Sequence, residues 1–284
     1  MVGEENFYIV VIPFRCVCVF LCGLFMSATP LSAQLIVAHR GASYDAPENT
    51  LAAFRLAWEQ GADAVEGDFY LTKDNEIVCI HHGNTKRTSG VERSVSASTL
   101  AELRQLDVGR WKDPKWQGER IPTLTEVLAA VPEGKKIYIE IKCGPEIVPH
   151  LPPVLTKSGL KPEQTIVICF NDKVIAAVRE QIPGIKAHWL TGFKQDKQTQ
   201  EFQPTADAVL DTLERIKATG LDANANRNVV DAAFIKRLRD RKLEFHVWTV
   251  NDANDARHFQ QLGTDSITTD RPGYLRQELG SRSK

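Results

Sequence analysis

The sequence predicts an α/β protein folded as a single-domain (β/α)8 TIM barrel, and three observations carry that expectation. Short β-branched runs alternate with longer helical patterns, as in parallel strands joined by crossover helices. Eight such runs qualify as strands, the number a closed barrel needs. Once a leading segment is set aside, residues 34–284 remain, a length of about 250 that suits such a barrel. With 43% apolar and 25% charged residues, the chain can bury a sizeable core. Its formal charge of -1 carries no basic excess of the kind a nucleic-acid binder clusters.

The leading segment, residues 1–33, is a different kind of sequence. Phe7 to Met26 is apolar except for Pro13 and Arg15, and small residues follow in "MSATPLSAQ". Arg15 as the positive flank, Cys16 to Met26 as the apolar stretch and Ser32-Ala33 as a cleavage edge before Gln34 predict a secretory signal peptide. The apolar run is also about long enough for a membrane anchor. Either way the chain is expected to be exported, periplasmic or secreted. Residues 1–33 hold two acids and one base, so 34 of each remain in a neutral domain of residues 34–284. Cys79, Cys143 and Cys169 lie in or beside apolar runs, which predicts buried unpaired thiols; they are too scattered for a zinc cluster.

"LIVAH" is the first strand. The helix "NTLAAFRLAWEQGA" follows, with Asn49 expected as its N-cap and Gly61 as its stop. "DAVEGDFYLT" is the second strand, and "EIVCIHH" is a hairpin arm folded back through a turn at Lys73-Asp74-Asn75. Residues 83–136 form a long connection, expected as loops and a helix over one barrel mouth. "KIYIEIK", "TIVICF", "IKAHWL", "LDANAN", "EFHVWTV" and "DSITTD" complete the eight strands. Helices are expected at "DKVIAAVREQI", "DAAFIKRLRDRK" and "DANDARHFQQLG".

Active sites of such barrels gather at the C-terminal strand ends, and here those ends are chemically loaded. The first strand ends in His39-Arg40, and the hairpin arm ends in His81-His82. Glu66 and Asp68 lie two apart on the second strand, so both side chains point to one face. Glu140 and Lys142 repeat that spacing on the third. Trp248 lies on the seventh strand, and the eighth ends at Asp270. Each residue alone has an ordinary explanation: a satisfied histidine, a plain salt bridge, a packed tryptophan. Three carboxylates at one mouth, however, need a compensating cation, because unpaired buried charge is costly. Their all-oxygen character favours Ca2+ or Mg2+ over zinc. Arg40 and Lys142 suit a phosphate, and the histidines suit proton transfer near neutral pH. Together they point to phosphoryl-transfer chemistry.

The order of motifs resembles the glycerophosphodiester phosphodiesterases. The matching residues are His39-Arg40-Gly41, Pro47-Glu48-Asn49-Thr50, "VEGDFYLTKDNEIVCIH", "IPTLTEVL", "YIEIK", "VWTVND" and "ITTDRPG", spanning Ile36 to Gly273. The resemblance implies one divalent cation on Glu66, Asp68 and Glu140, with His39 and His81 as the acid–base pair. It also implies Arg40 and Lys142 near the phosphate and Trp248 bordering the substrate. His82, Glu48 and Asn49 stand beside these residues with their roles left open. His82 departs from the family, which usually has aspartate there; a neutral imidazole removes a negative charge from the site.

The expected reaction releases glycerol 3-phosphate and an alcohol from a glycerophosphodiester. The glycerol 2-hydroxyl attacks phosphorus and water then opens the cyclic phosphate, or water attacks directly. Two other readings stay open. One is phospholipase-like cleavage of lysophospholipids, with Phe69, Trp111, Trp116 and Phe193 lining an apolar groove. The other is a secreted phosphodiester-binding protein without turnover. No nucleic-acid partner is expected, and membrane contact only through the leading segment or a lipid-derived substrate.

Overall fold

In the computed structural model, Met1, Gly3 and residues 34–280 are described. The signal or anchor expected before Gln34, with Cys16, Cys18 and Cys22, lies outside the described residues. The chain divides into Met1–Leu31 and Ser32–Lys284, and the second unit carries every element below. Among the described residues, no helix is long and apolar enough to cross a membrane.

In chain order the elements are β1 (Leu35–His39), α1 (Leu51–Glu59), β2 (Ala64–Leu71), β3 (Ile77–Cys79), α2 (Lys86–Ser89), α3 (Leu100–Leu103), α4 (Leu124–Ala129), β4 (Lys136–Ile141), α5 (Leu151–Ser158), β5 (Thr165–Cys169), α6 (Asp172–Gln181), β6 (Lys186–Thr191), β7 (Lys194–Gln195), β8 (Phe202–Gln203), α7 (Ala206–Arg215), β9 (Gly220–Asn224), α8 (Ala232–Arg239), β10 (Glu244–Trp248), α9 (Ala253–Gln261), β11 (Ser266–Thr269) and α10 (Pro272–Leu279). Strands β1, β2, β4, β5, β6, β9, β10 and β11 pair parallel in that order, and β1 also pairs with β11, closing an eight-stranded barrel. β3 pairs antiparallel with β2, the expected hairpin arm. The expected turn between them includes Asn75 at φ 62°.

Covered on both faces, β5 (TIVIC) and β11 (SITT) are buried throughout, and β5 reads as the near-continuous apolar run such a strand leaves. Val37, Ala64, Tyr138, Ile166, Ile168 and Leu190 pack together inside the barrel, with Trp248 against them. The larger core lies between the strands and the surrounding helices. Oxygen-bearing side chains accept from first-turn N–H groups at α1, α6, α8 and α9, through Thr50, Asn171, Asp231 and Asp252.

The structure departs from the sequence reading in several places. Thr50, not Asn49, caps α1: its hydroxyl accepts from Ala53 N at 3.2 Å and donates to Pro47 O at 2.7 Å. Asn49 is turned to φ 58° and its side chain is spent on Asp68. The connection over residues 83–136 holds three short α-helices and a 3-10 turn at Pro114–Trp116 rather than one helix. Most of it encloses its own core of Val78, Ile80, Val95, Leu103, Val108 and Ile121, whereas α4 packs on the barrel. The β7–β8 ribbon is an added excursion, too short and polar to register as strands. Cys79 and Cys169 are buried free thiols as expected, but Cys143 is only half-buried.

Candidate active site

Register builds the site. His39 lies level with Glu66 where β1 meets β2, and Asp68 lies level with Glu140 where β2 meets β4. The three carboxylates are buried, with one oxygen of each within 4.8 Å of the others. Glu66 Oε1 and Asp68 Oδ1 have no hydrogen-bond partner among the described residues. Burial, reinforced by Asp68 and Glu140, pushes Glu66 well above the usual carboxylate range. Burial and Asp68 push Glu140 up to about 7 against Lys142. Burial also opposes ionisation of Asp68, but Arg40 and Lys142 outweigh it and hold this carboxyl below its usual range. An all-oxygen cluster with orphaned oxygens and more negative charge than its lysine and arginine offset fits a hard divalent cation.

Local backbone geometry places the cations. Arg40 takes φ 57° and its N–H donates to Glu66 Oε2 at 2.9 Å. Gly41 follows at φ 80°, and a Cβ there would lie 2.6–2.7 Å from Ala53, so the tight turn requires glycine. Arg40 Nε lies 3.2 Å from Asp68 Oδ2, and Nη1 donates to Glu48 Oε1 at 3.2 Å. Lys142 Nζ donates to Glu140 Oε1 at 2.7 Å and lies 3.4 Å from Asp68 Oδ1. Asn49 braces Asp68 twice: its Nδ2 donates to Oδ2 at 2.7 Å, and its Oδ1 accepts from Asp68 N at 3.1 Å.

The two histidines differ. His39 Nδ1 lies 2.6 Å from Asp270 Oδ1, and an ionised carboxylate only accepts, so the proton sits on Nδ1 and Nε2 is left for chemistry. Ser43 Oγ and Asn251 Nδ2 also donate to Asp270, at 3.1 and 2.6 Å. Burial works against the charge on Asp270, yet these bonds, led by His39, hold its carboxyl down at about 2. His81 is half-buried and its Nδ1 has no partner among the described residues. Burial, seconded by Arg40 and Lys142, pushes its imidazole down to about 4 against the pull of Asp68. His81 is therefore neutral at pH 7.

His82 is exposed and meets His81 edge-on at 4.5 Å. Its Nδ1 accepts from Arg87 Nε at 3.1 Å, and the Arg87 fork grips Glu48 at 2.7 and 2.5 Å. A cavity of about 320 Å³ opens beside His39 and Arg40, bounded by Tyr44, Glu48, Trp111 and Asp270. Trp248 is half-buried and packs edge-on against exposed Phe170 at 5.5 Å. The expected apolar groove is corrected. Phe69 and Phe193 are buried in the core, and Trp116 lies under Lys115, so of the four only Trp111 borders this cavity. Sequence reasoning noted Asp270 only as a strand end and missed its hold on His39. It missed Arg87 altogether, since that residue sits in a polar stretch without pattern.

A model of the glycerophosphoryl diester phosphodiesterase family matches residues 39–274. A glycerophosphodiester phosphodiesterase of Caldanaerobacter subterraneus subsp. tengcongensis is 34% identical over 247 residues, covering 85% of this chain and 96% of its own length. A lysophospholipase D of Rattus norvegicus is 28% identical, covering 87% and 86%. Among solved structures, an Oleispira antarctica phosphodiesterase in complex with the product sn-glycerol-3-phosphate superposes with a TM-score of 0.76 at 26% identity, covering 87% and 97%.

Proposed function

The chain belongs to the glycerophosphodiester phosphodiesterase family, and from that premise we propose how its barrel mouth hydrolyses a glycerophosphodiester to glycerol 3-phosphate and an alcohol. The enzyme is a phosphoric diester hydrolase. The observation that carries the reading is the orphaned carboxylate cluster of Glu66, Asp68 and Glu140 beside two histidines of unlike surroundings. Those carboxylates would hold one Ca2+ or Mg2+, which when bound supplies Lewis-acid stabilisation of phosphate charge and acidifies a hydroxyl. Arg40 and Lys142 grip the phosphate oxygens and offset the charge that builds on them. His81, neutral and without a carboxylate partner, takes the proton of the attacking glycerol 2-hydroxyl. His39, held through Nδ1 by Asp270 so that its Nε2 faces the substrate, protonates the departing alcohol. Water then opens the cyclic phosphate with the two roles exchanged. Trp248 borders the substrate.

The test is glycerol 3-phosphate release from glycerophosphocholine. Release should need Ca2+ or Mg2+, stop in EDTA and fall by about 10²-fold or more in His39→Ala. Undiminished release in EDTA or in that variant would overturn the assignment. A lysophospholipid substrate is the second reading, supported by exposed Tyr44 and Trp111 at the cavity. Faster choline release from lysophosphatidylcholine than from glycerophosphocholine would favour it. The apolar leading segment supports export; a mature N-terminus at Gln34 in exported protein would establish it.

A further inference from the structure

His39 gives its proton to the departing alcohol, so on that reading of the reaction the alcohol occupies the cavity of about 320 Å³ beside it. Separate pieces of chain wall this cavity: Ser43 and Tyr44 follow β1, Trp111 and Lys112 belong to the long connection, and Asp270 follows β11. Lys112 Nζ donates to Ser43 O at 2.7 Å, and Tyr44 N donates to Asp270 O at 3.1 Å, which ties the pieces together. Arg271 stands at the edge, its guanidinium 4.5 Å from the Tyr44 ring centre and 4.4 Å from that of Tyr274.

The charges around this cavity do not cancel. Both of its carboxylates are already engaged. Glu48 accepts from Arg40 and from the Arg87 fork, and Asp270 accepts from His39, Ser43 and Asn251. Lys112 and Arg271, by contrast, have no carboxylate partner among the described residues. An ammonium carries three N–H donors, so Lys112 keeps donors for a ligand after the one given to Ser43. The aromatic walls are engaged as well. Lys112 and Arg87 lie 6.0 and 5.9 Å from the Trp111 ring centre, and Arg271 covers Tyr44. A quaternary ammonium head group binds by settling on open aromatic faces, and here it would meet cations instead. Two cations without a counter-ion beside the departing alcohol fit an anion.

We propose that this cavity selects a departing alcohol that itself carries a phosphomonoester, and that Lys112 and Arg271 recognise that second phosphate. A phosphomonoester bears a charge of about -1.5 to -2 at pH 7 and three strong acceptor oxygens, enough to engage both cations, whereas a carboxylate brings a single charge. Tyr44 and Trp111 supply apolar walls for the carbon frame of the alcohol. The bond broken is still that of the diester at the mouth, and the second phosphate serves only as a handle. The substrate class is then the glycerophosphodiesters of phosphorylated polyols rather than those of choline.

Glycerophosphoinositol 4-phosphate and glycerophosphoinositol differ only in that handle. For glycerol 3-phosphate release with Ca2+ or Mg2+, kcat/KM should be about fivefold or more higher for the phosphorylated substrate. That ratio should shrink as salt rises from about 0.05 to 0.5 M, because partly exposed charges are screened. Lys112→Gln keeps an N–H donor for Ser43 and should bring the ratio to about two or less, and Arg271→Gln should lower it as well. Each ratio compares two substrates on one protein, so a partly unfolded variant does not imitate the effect. A wild-type ratio of one or below, or a ratio unchanged in both variants, would overturn the proposal. Kd values for the same pair in EDTA give the ratio without turnover. If neither substrate released glycerol 3-phosphate, hydrolysis at the mouth would fall, and the Kd ratio would still decide for or against the phosphate subsite.

Discussion

His39 Nδ1 and Asp270 Oδ1 lie 2.6 Å apart, across the seam where the first and last strands of the barrel close. The contact fixes which nitrogen of His39 faces the substrate. Asp270→Asn keeps the shape but no longer requires a proton on Nδ1, so the ring can turn or change tautomer. We expect kcat to fall about 10²–10⁴-fold with KM nearly unchanged, the pattern of a group that positions a catalytic histidine. A loss confined to KM would place Asp270 in substrate binding instead.

The same carboxyl links stability to acid. Its folded pKa of about 2 lies below the unfolded value of about 3.9, so the folded state favours the ionised form. That contribution is full above about pH 4 and is lost as pH falls through 2. After solvent screening it amounts to about 1–2 kcal/mol. Urea unfolding should show Asp270→Asn less stable than wild type at pH 7, with the gap closing toward pH 2. A gap that stayed constant with pH would mean the loss is one of packing.

Glu140 works in the other direction. Its carboxyl holds a proton up to about pH 7 in the metal-free fold but only to about 4.3 when unfolded. Metal-free protein therefore loses stability as pH rises from about 4 to 7, by an amount on the order of 1–3 kcal/mol. Glu140→Gln keeps an acceptor for Lys142 without the charge. It should melt higher than metal-free wild type at pH 8 and lose most of the rise that Ca2+ or Mg2+ produces in wild type. Equal melting temperatures in EDTA would show that the cluster carries no excess charge to relieve.

How far the sequence can be read depends on whether a residue acts through its own strand or across the fold. Glu66, Asp68, Glu140 and Lys142 were legible because the two-residue period of a strand aims alternate side chains at one face. The eight strands were legible because short β-branched runs alternate with helical patterns along the chain, as parallel strands joined by crossover helices do. Asn49 and Thr50 are both good caps, and only Asp68, 19 residues away, decides that Asn49 serves the site. Asp270 meets His39 over a separation of 231 residues, for which no local pattern exists. His188 and His246 each stand singly inside an apolar run, and only barrel closure stacks them.

Asn49 offers a clean separation of backbone from side chain. Its φ of 58° suits glycine and is strained for alanine, while its amide makes two hydrogen bonds to Asp68. Asn49→Gly and Asn49→Ala should both weaken the response of activity to Ca2+ or Mg2+, since either leaves Asp68 unbraced. Alanine should cost a further ~1 kcal/mol of stability for its left-handed backbone. Equal cation dependence in wild type and Asn49→Gly would limit Asn49 to a role in the turn.

Arg87 controls how much of Glu48 reaches Arg40. Its fork holds both Glu48 oxygens, one of which also accepts from Arg40 Nη1, and His82 receives the remaining Nε–H. In Arg87→Met, Glu48 is left to pair with Arg40 alone and competes with the substrate phosphate for its guanidinium. The Arg87 side chain is 39% exposed, so the effect is that of a partly screened ion pair, about 0.5–1 kcal/mol. KM should rise about two- to fivefold with kcat nearly constant. His82→Ala, which leaves the fork in place, should move KM by less than about twofold on the same scale. If His82→Ala raised KM as much as Arg87→Met, the imidazole standing at the family's usual aspartate position would itself be holding Arg87 in place, and the fork on Glu48 would depend on it.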